Sequence, residues 1–227
     1  MHKFSFYQLK DIAEDCGINP YNKSKPDLYR EIMSHFCEEE KDLPKTDTYR
    51  EVKEIGRGGN DSVVYLAKKD GKEFAMKKFN SNVCTKEIKK EVGYQKKASG
   101  ISPEIVDVDY EKKSIVMEKM DSHVVDYLTK NKGKFPIKYQ KRLIEIFTAL
   151  DEKGVYQADP NILNYMFKGD RIYMIDFGMC KPINKYLIKK LGTDKPNMKY
   201  TLLSFICKLK EGNCSPRSYS HLLKYVS

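Results

Sequence analysis

Asp159, Asn164 and Asp176 place three side-chain oxygens of the hard, Mg²⁺-binding kind within one short stretch of the chain. Asp176 closes the apolar run Ile172-Tyr173-Met174-Ile175 and is followed by Phe177-Gly178. The pattern predicts a buried strand ending in a carboxylate, with a glycine that lets the chain turn sharply behind it. Upstream lies Gln157-Ala158-Asp159-Pro160-Asn161-Ile162-Leu163-Asn164, so an aspartate, four residues and an asparagine precede a short hairpin and then Asp176. Loop capping accounts for Asp159 and Asn164 taken alone. It gives no reason for the interval to Asp176, whereas a site for a metal and a phosphate uses all three.

A second group of residues lies nearer the N-terminus. Gly56-x-Gly58, followed by Val63, falls between two predicted strands, where glycines let backbone N–H groups approach phosphates. Lys77 ends the alternating segment Phe74-Ala75-Met76-Lys77, which points Lys77 and Ala75 to one side and leaves Lys78 on the other. A lysine is usually exposed, so an inward one marks chemistry. The helix predicted over 85–97 carries Glu87 and Glu91 on one face. Further on, Ile115-Val116-Met117-Glu118-Lys119-Met120 reads as a strand running into a connection.

These residues need a scaffold. Strand-like segments at 52–55, 62–67 and 73–79 are separated by the turn-formers at 56–61 and 69–71, which predicts an antiparallel meander. Beyond residue 120 the pattern becomes helical, with Leu143, Ile146 or Phe147, and Leu150 on one buried face ahead of Gly154. Residues 4–36 read as a separate helical hairpin. Leu9, Ile12 and Ala13 lie on its first helix, which Gly17 stops; Ser24 caps the second, with Leu28, Ile32 and Phe36 on one face. Glu38-Glu39-Glu40-Lys41-Asp42 and Pro44 read as a linker. The expected units are therefore residues 1–45 and 46–227.

Composition narrows the setting. Hydrophobic residues make up 40% and charged residues 33%, which suits a folded globular chain. No stretch reaches the roughly 20 apolar residues of a membrane helix, and the Lys10-Asp11 pair comes too early for a signal peptide. The six cysteines form no Cys-x-x-Cys pair, so neither a zinc site nor a disulfide framework is expected, and the cytoplasm or nucleus fits best. The net charge of +10 favours anionic partners or simply a lysine-rich solvated surface. The Lys, Asn, Ile and Tyr bias fits an AT-rich genome, such as that of a large DNA virus acting in its host cell.

Asp159-x₄-Asn164 followed by Asp176-Phe177-Gly178, with Gly56-x-Gly58 and Ala75-x-Lys77 ahead of them, resembles the protein-kinase superfamily over residues 50 to about 205. The resemblance is closest to its minimal branch: the RIO kinases, and the small kinase of the KEOPS tRNA-modification complex, which has similar Pro103-x-Ile105-x-Asp107-Val108-Asp109 and Ile175-Asp176-Phe177-Gly178 phrases. It implies an α+β, two-lobed fold: a small antiparallel sheet with one helix, joined by a hinge to a reduced helical lobe. It implies ATP and Mg²⁺ as cofactors. Asp159 would orient the acceptor hydroxyl, and Asn164 and Asp176 would hold the metal. Lys77 would pair with the phosphates and with Glu91. Gly56 and Gly58 would cover the phosphates, and Val63, Ala75 and Met166 would enclose the adenine. The Glu118 carbonyl and Met120 amide would meet its edge, with Met117 as gatekeeper. The N-terminal hairpin resembles the SAP and Rho-N-terminal modules, which implies nucleic-acid binding through residues 1–45, beside a purely structural or protein-docking role.

Departures from the kinase pattern shape the expected function. Asp61 stands in place of the third glycine, and Gln157-Ala158 in place of His-Arg, which removes the arginine that receives an activation-loop phosphate. Asn161 replaces a catalytic lysine, Gln95 replaces an apolar residue, and no Ala-Pro-Glu follows Gly178. Residues 179–227 are too few for the full peptide-docking lobe. The set Lys77, Glu91, Asp159, Asn164 and Asp176 is complete, so the expectation is an active serine/threonine protein kinase that also phosphorylates itself. The alternatives are a small-molecule phosphotransferase and a nucleotide-binding scaffold or pseudokinase in a nucleic-acid complex.

Overall fold

The computed structural model describes residues 5–15, 18–38, 49–58 and 61–226, and the chain divides into two compact units, Met1–Leu43 and Pro44–Ser227. Gly17, the linker at 39–48, and Gly59 and Asn60 lie outside the described residues.

The first unit is a pair of helices, α1 (Phe6–Asp15) and α2 (Lys25–Glu38). Ser5 and Gln8 cap α1 reciprocally: Gln8 N donates to Ser5 Oγ at 3.2 Å, and Ser5 N donates to Gln8 Oε1 at 2.7 Å. Ser24 Oγ accepts from the Asp27 amide at the start of α2. Leu9, Ala13, Leu28 and Ile32 form the small buried core between them, with Ile12 at its margin. Two helices that share one apolar seam bury enough to pack against each other, as helical spacing of those residues requires.

The second unit mixes helices with antiparallel sheet. Its first part is a five-stranded sheet in the order β1-β2-β3-β5-β4, made from β1 (Arg50–Gly58), β2 (Ser62–Lys69), β3 (Lys72–Phe79), β4 (Ile105–Asp109) and β5 (Ser114–Glu118). Between β3 and β4 runs α3 (Thr85–Lys97), whose Ile88 and Val92 pack on Ile115 and the sheet. The β2–β3 turn is the two-residue loop Asp70-Gly71, with φ of 50° and 74° at its two positions, the conformation that suits a tight hairpin. β1 extends further than the 52–55 expected. It runs through Gly58, with bulges between Glu51 and Lys53 and between Glu54 and Gly56. The glycines thus end a strand instead of forming a loop apart from it.

The remainder is mainly helical. It holds α4 (Val124–Lys130), α5 (Ile137–Glu152), α6 (Lys185–Leu191) and α7 (Leu202–Glu211). Two small sheets accompany them: β6 (Ser122–His123) with β8 (Tyr165–Lys168) and β9 (Arg171–Met174), and β7 (Val155–Tyr156) with β10 (Lys181–Pro182). Leu143, Ile146, Phe147 and Leu150 of α5 are fully buried in the main core beside Tyr165, Phe177 and Phe205. Buried Arg142 ties α5 to its neighbours: Nε donates to the Ile172 carbonyl and an Nη to the Gly100 carbonyl, both at 3.0 Å. Those bonds hold the β8–β9 hairpin against the α3–β4 connection. The hairpin in turn fixes where Asp176 emerges.

Candidate active site

Three ion-forming side chains meet where the sheet faces the β8–β9 hairpin. Lys77 on β3 is buried, and its Nζ lies 2.5 Å from Glu91 Oε1 on α3 and 3.2 Å from Asp176 Oδ1. Strand alternation turns Lys77 to the α3 side and Lys78 to the other, where Lys78 pairs with Glu51 at 2.7 Å. Glu87 is occupied elsewhere, its carboxylate accepting the Cys84 amide at the α3 N-terminus. Helical spacing then puts Glu91 one turn on, facing Lys77.

The electrostatics follow from burial and charge count. Burial alone lowers the Lys77 pKa, but Glu91 and Asp176 outweigh it and hold the ammonium raised and charged. Burial raises Glu91, Lys77 opposes this, and the second carboxylate, Asp176, adds to the rise. Two carboxylates around one ammonium leave negative charge in excess, which is the condition a divalent cation relieves. Buried Cys180 feels the same field: desolvation first, then Asp176 and Glu91, push its thiol up to about 12. It is therefore inert as a nucleophile at neutral pH.

Asp159 and Asn164 arrive from the connection between β7 and β8. Asn161 Oδ1 accepts the Leu163 amide at 3.0 Å and caps the short 3₁₀ turn Ile162–Asn164. Asn164 Nδ2 donates to Asp159 Oδ2 at 2.9 Å. The Asn164 carbonyl accepts from the Ile175 amide at 2.8 Å, which sets Asn164 and Asp176 at the same mouth of the hairpin. Of the two residues preceding these carboxylates and the carboxylates themselves, Ala158 and Asp176 hold positive φ, 56° and 62°. Alanine there costs on the order of 1 kcal/mol, a strain kept where the aim of the next side chain matters. Gly178 serves close approach: a Cβ would sit 3.2 Å from Glu91 Oε2 and 3.4 Å from Asp176 Oδ1. Phe177, between them, is fully buried in the core and locks the segment.

The donor set fits Mg²⁺. Asn164 gives its NH₂ to Asp159, which leaves its amide oxygen able to ligate a cation, and Asp176 has a second oxygen beyond the one that meets Lys77. One carboxylate and one amide oxygen, completed by phosphate and water, are a normal Mg²⁺ complement. Among the described residues no group of three or more His, Cys, Asp or Glu side chains could hold a metal unaided.

Register corrects one expected contact. In the β2–β3 ladder Val64, not Val63, is opposite Lys77, and Gly56 is opposite Val64. Directly opposed residues share a face, so Val64, Ala75, Lys77 and Gly56 line one side of the sheet. Val63 pairs with Lys78 and Arg57 on the reverse side. At Gly56 a Cβ would meet, among the described residues, only Val64 Cβ at 4.0 Å, which leaves room above that strand. On the other margin, Glu118 N donates to the Glu104 carbonyl and Asp121 N to the Phe167 carbonyl, while the Met120 amide between them has no partner among the described residues. The Glu118 side chain pairs with Lys168. Met166 lies on β8 opposite His123 and Tyr173, half-buried. Gln95 is buried for a reason composition did not reveal: its Nε2 donates to the Pro103 carbonyl at 3.0 Å and reaches Met117 Sδ at 3.6 Å.

Asn197 is a site residue that motif reading missed. It is fully buried ahead of α7, and its Oδ1 accepts the Gln157 amide at 3.0 Å. Its Nδ2 donates to Asp151 Oδ1 and to the Val155 carbonyl, each at 2.7 Å. One side chain thus fixes α5, β7 and the start of the Asp159 loop. Asn197→Asp keeps the size but loses both donors and sets a second carboxylate against Asp151. The expected cost is about 2–4 kcal/mol. Partial burial already holds the Asp151 pKa above its usual value, so the loss is expected to be smaller at low pH and larger as pH rises above the unfolded value near 4. Melting curves at pH 5 and pH 8, with transfer rates alongside, check this.

A groove of 660 Å³ lies away from these groups, between α5 and residues 193–199, and includes Asp151 and Lys195. Convergent chemistry, not volume, locates the candidate site. No protein-family model and no curated protein matches the chain.

Proposed function

We propose that the chain is an ATP- and Mg²⁺-dependent protein kinase acting on Ser/Thr hydroxyls, itself included, with a two-lobed fold in which the sheet forms the smaller lobe. The observation that carries this reading is buried Lys77 held between Glu91 and Asp176, with the Asp159–Asn164 pair at the same hairpin mouth. Lys77 is placed to bind phosphate oxygens. Asn164 and Asp176 would hold Mg²⁺, which when bound neutralises charge on the phosphates. Asp159 accepts the proton of the acceptor hydroxyl. Val64 and Ala75 from above and Met166 from below enclose the adenine, and the Met120 amide meets its edge. Among the described residues no helix is long and apolar enough to cross a membrane. The test is transfer of labelled γ-phosphate from ATP to generic acceptor proteins with Mg²⁺. Transfer to a sugar or amino-alcohol in place of any protein would favour a small-molecule phosphotransferase.

Activity on this reading needs no activating phosphate. Ala158 offers no guanidinium to pair with one, and the Lys77–Glu91 pair and the buried Phe177 are already in place. Phosphatase-treated protein is expected to phosphorylate an added acceptor at its full rate from the first turnover. A lag abolished by prior phosphorylation would refute it.

A further inference from the structure

Beyond Gly178 the chain carries cations and almost no counter-charge. Lys181 on β10 lies opposite Tyr156 on β7, and the Ile183 amide donates to the Gly154 carbonyl at 2.9 Å. Tyr156 leads directly into Gln157-Ala158-Asp159, so this strand runs beside the loop that carries the candidate base. Next comes α6, which buries only Leu187 and exposes Lys185, Lys189, Lys190 and Tyr186. Lys90 of α3 adds to the group; burial lowers its pKa and the nearby Lys181 charge adds to this, against opposing pulls from Cys180 and Glu87. None of these five lysines has a carboxylate within ion-pair distance among the described residues.

Fold stability explains only part of this. Lys189 and Lys190 suit the C-terminal end of the α6 dipole, but Lys185, at its first residue, sits where a cation is disfavoured. Lys90 and Lys181 repel each other across two elements. Like charges kept together beside a catalytic loop form a field for an anionic ligand.

We propose that Lys90, Lys181, Lys185, Lys189 and Lys190 form the acceptor platform, which takes a protein segment rich in Asp and Glu around its Ser or Thr. The proposal rests on the kinase reading, since it is Asp159 to which the hydroxyl is delivered. Lysines on flexible stems follow carboxylates at variable positions along an extended peptide, whereas phosphate recognition favours the rigid fork of arginine, absent from this group. Single-stranded nucleic acid also needs a row of stacking rings, and α6 exposes one, Tyr186.

The test uses the full chain and three peptides of equal length with one serine each, flanked by acidic, neutral or basic residues. Binding is followed by fluorescence anisotropy and phosphate transfer is measured in parallel, with wild type and the triple variant Lys185→Glu/Lys189→Glu/Lys190→Glu. At low salt the acidic peptide is expected to bind and react at least about tenfold better than the neutral one. That preference should shrink with salt and vanish in the triple variant. Equal use of all three peptides, or a preference that survives the triple variant, overturns the proposal. So does single-stranded RNA binding more tightly than the acidic peptide and losing that binding in the same variant. Acidic-peptide binding that is lost in the variant, with no transfer to any peptide, keeps the surface and removes the kinase reading.

Discussion

Asp176→Ala is expected to lower phosphoryl transfer by about 10³-fold or more while the protein stays folded. Its carboxylate is the candidate metal ligand at the hairpin mouth, 3.2 Å from the buried Lys77 ammonium. Losing a preorganised electrostatic group of this type costs about 10²–10⁵ in rate in phosphoryl- and acyl-transfer sites. Stability should change little, because Lys77 keeps Glu91 as its partner and Glu91 loses a like charge. The positive φ at residue 176 adds on the order of 1 kcal/mol for alanine, a fall of about 2–4 °C in Tm for a domain of this size. Asp176→Asn tolerates that conformation better and removes only the charge, so it should melt nearer to wild type and stay inactive. Transfer at the wild-type rate by either folded variant, with Mg²⁺ present, would remove Asp176 from the mechanism.

Local chemistry made much of the scaffold legible. The helix expected over about 85–97 is α3, where Glu87 closes the N-terminus and apolar spacing continues through Val92. The Asp70-Gly71 pair set the hairpin, and the Leu143–Leu150 face of α5 was read from period alone. Val63 differs for a physical reason. Spacing after Gly58 points to residue 63, whereas the two-residue turn fixes the β2–β3 register independently and sets residue 64 opposite Lys77. Asn197 gave no such signal, since its partners Asp151, Val155 and Gln157 lie 40–46 residues away. A buried polar network is visible only once the chain has closed on itself. Gln95 shows the same on a shorter span, its partner being the Pro103 carbonyl eight residues on, in a buried bond.

Lys77→Met is expected to abolish transfer and to destabilise the fold, and the two effects are separable. Without Lys77, Glu91 remains buried at 4% exposure with no cation beside it. Breaking one side of a buried pair costs about 3–5 kcal/mol, or a Tm drop of roughly 10 °C. Glu91→Leu on the same background removes the stranded carboxylate and should recover most of the stability without recovering any transfer, since the phosphate-binding ammonium is still missing. The pH dependence has a definite sign. Burial already raises the Glu91 pKa, and Lys77 is what opposes it; deleting Lys77 raises it further. Above about pH 4.3 the unfolded chain has released the Glu91 proton while the folded variant still holds it, so folding stability falls as pH rises towards the folded pKa. Lys77→Met should therefore lie closest to wild type at pH 5 and furthest from it at pH 8, and the double variant should lose that slope. Equal destabilisation at both pH values, or full transfer by the refolded double variant, would show that Lys77 and Glu91 are ordinary packing residues.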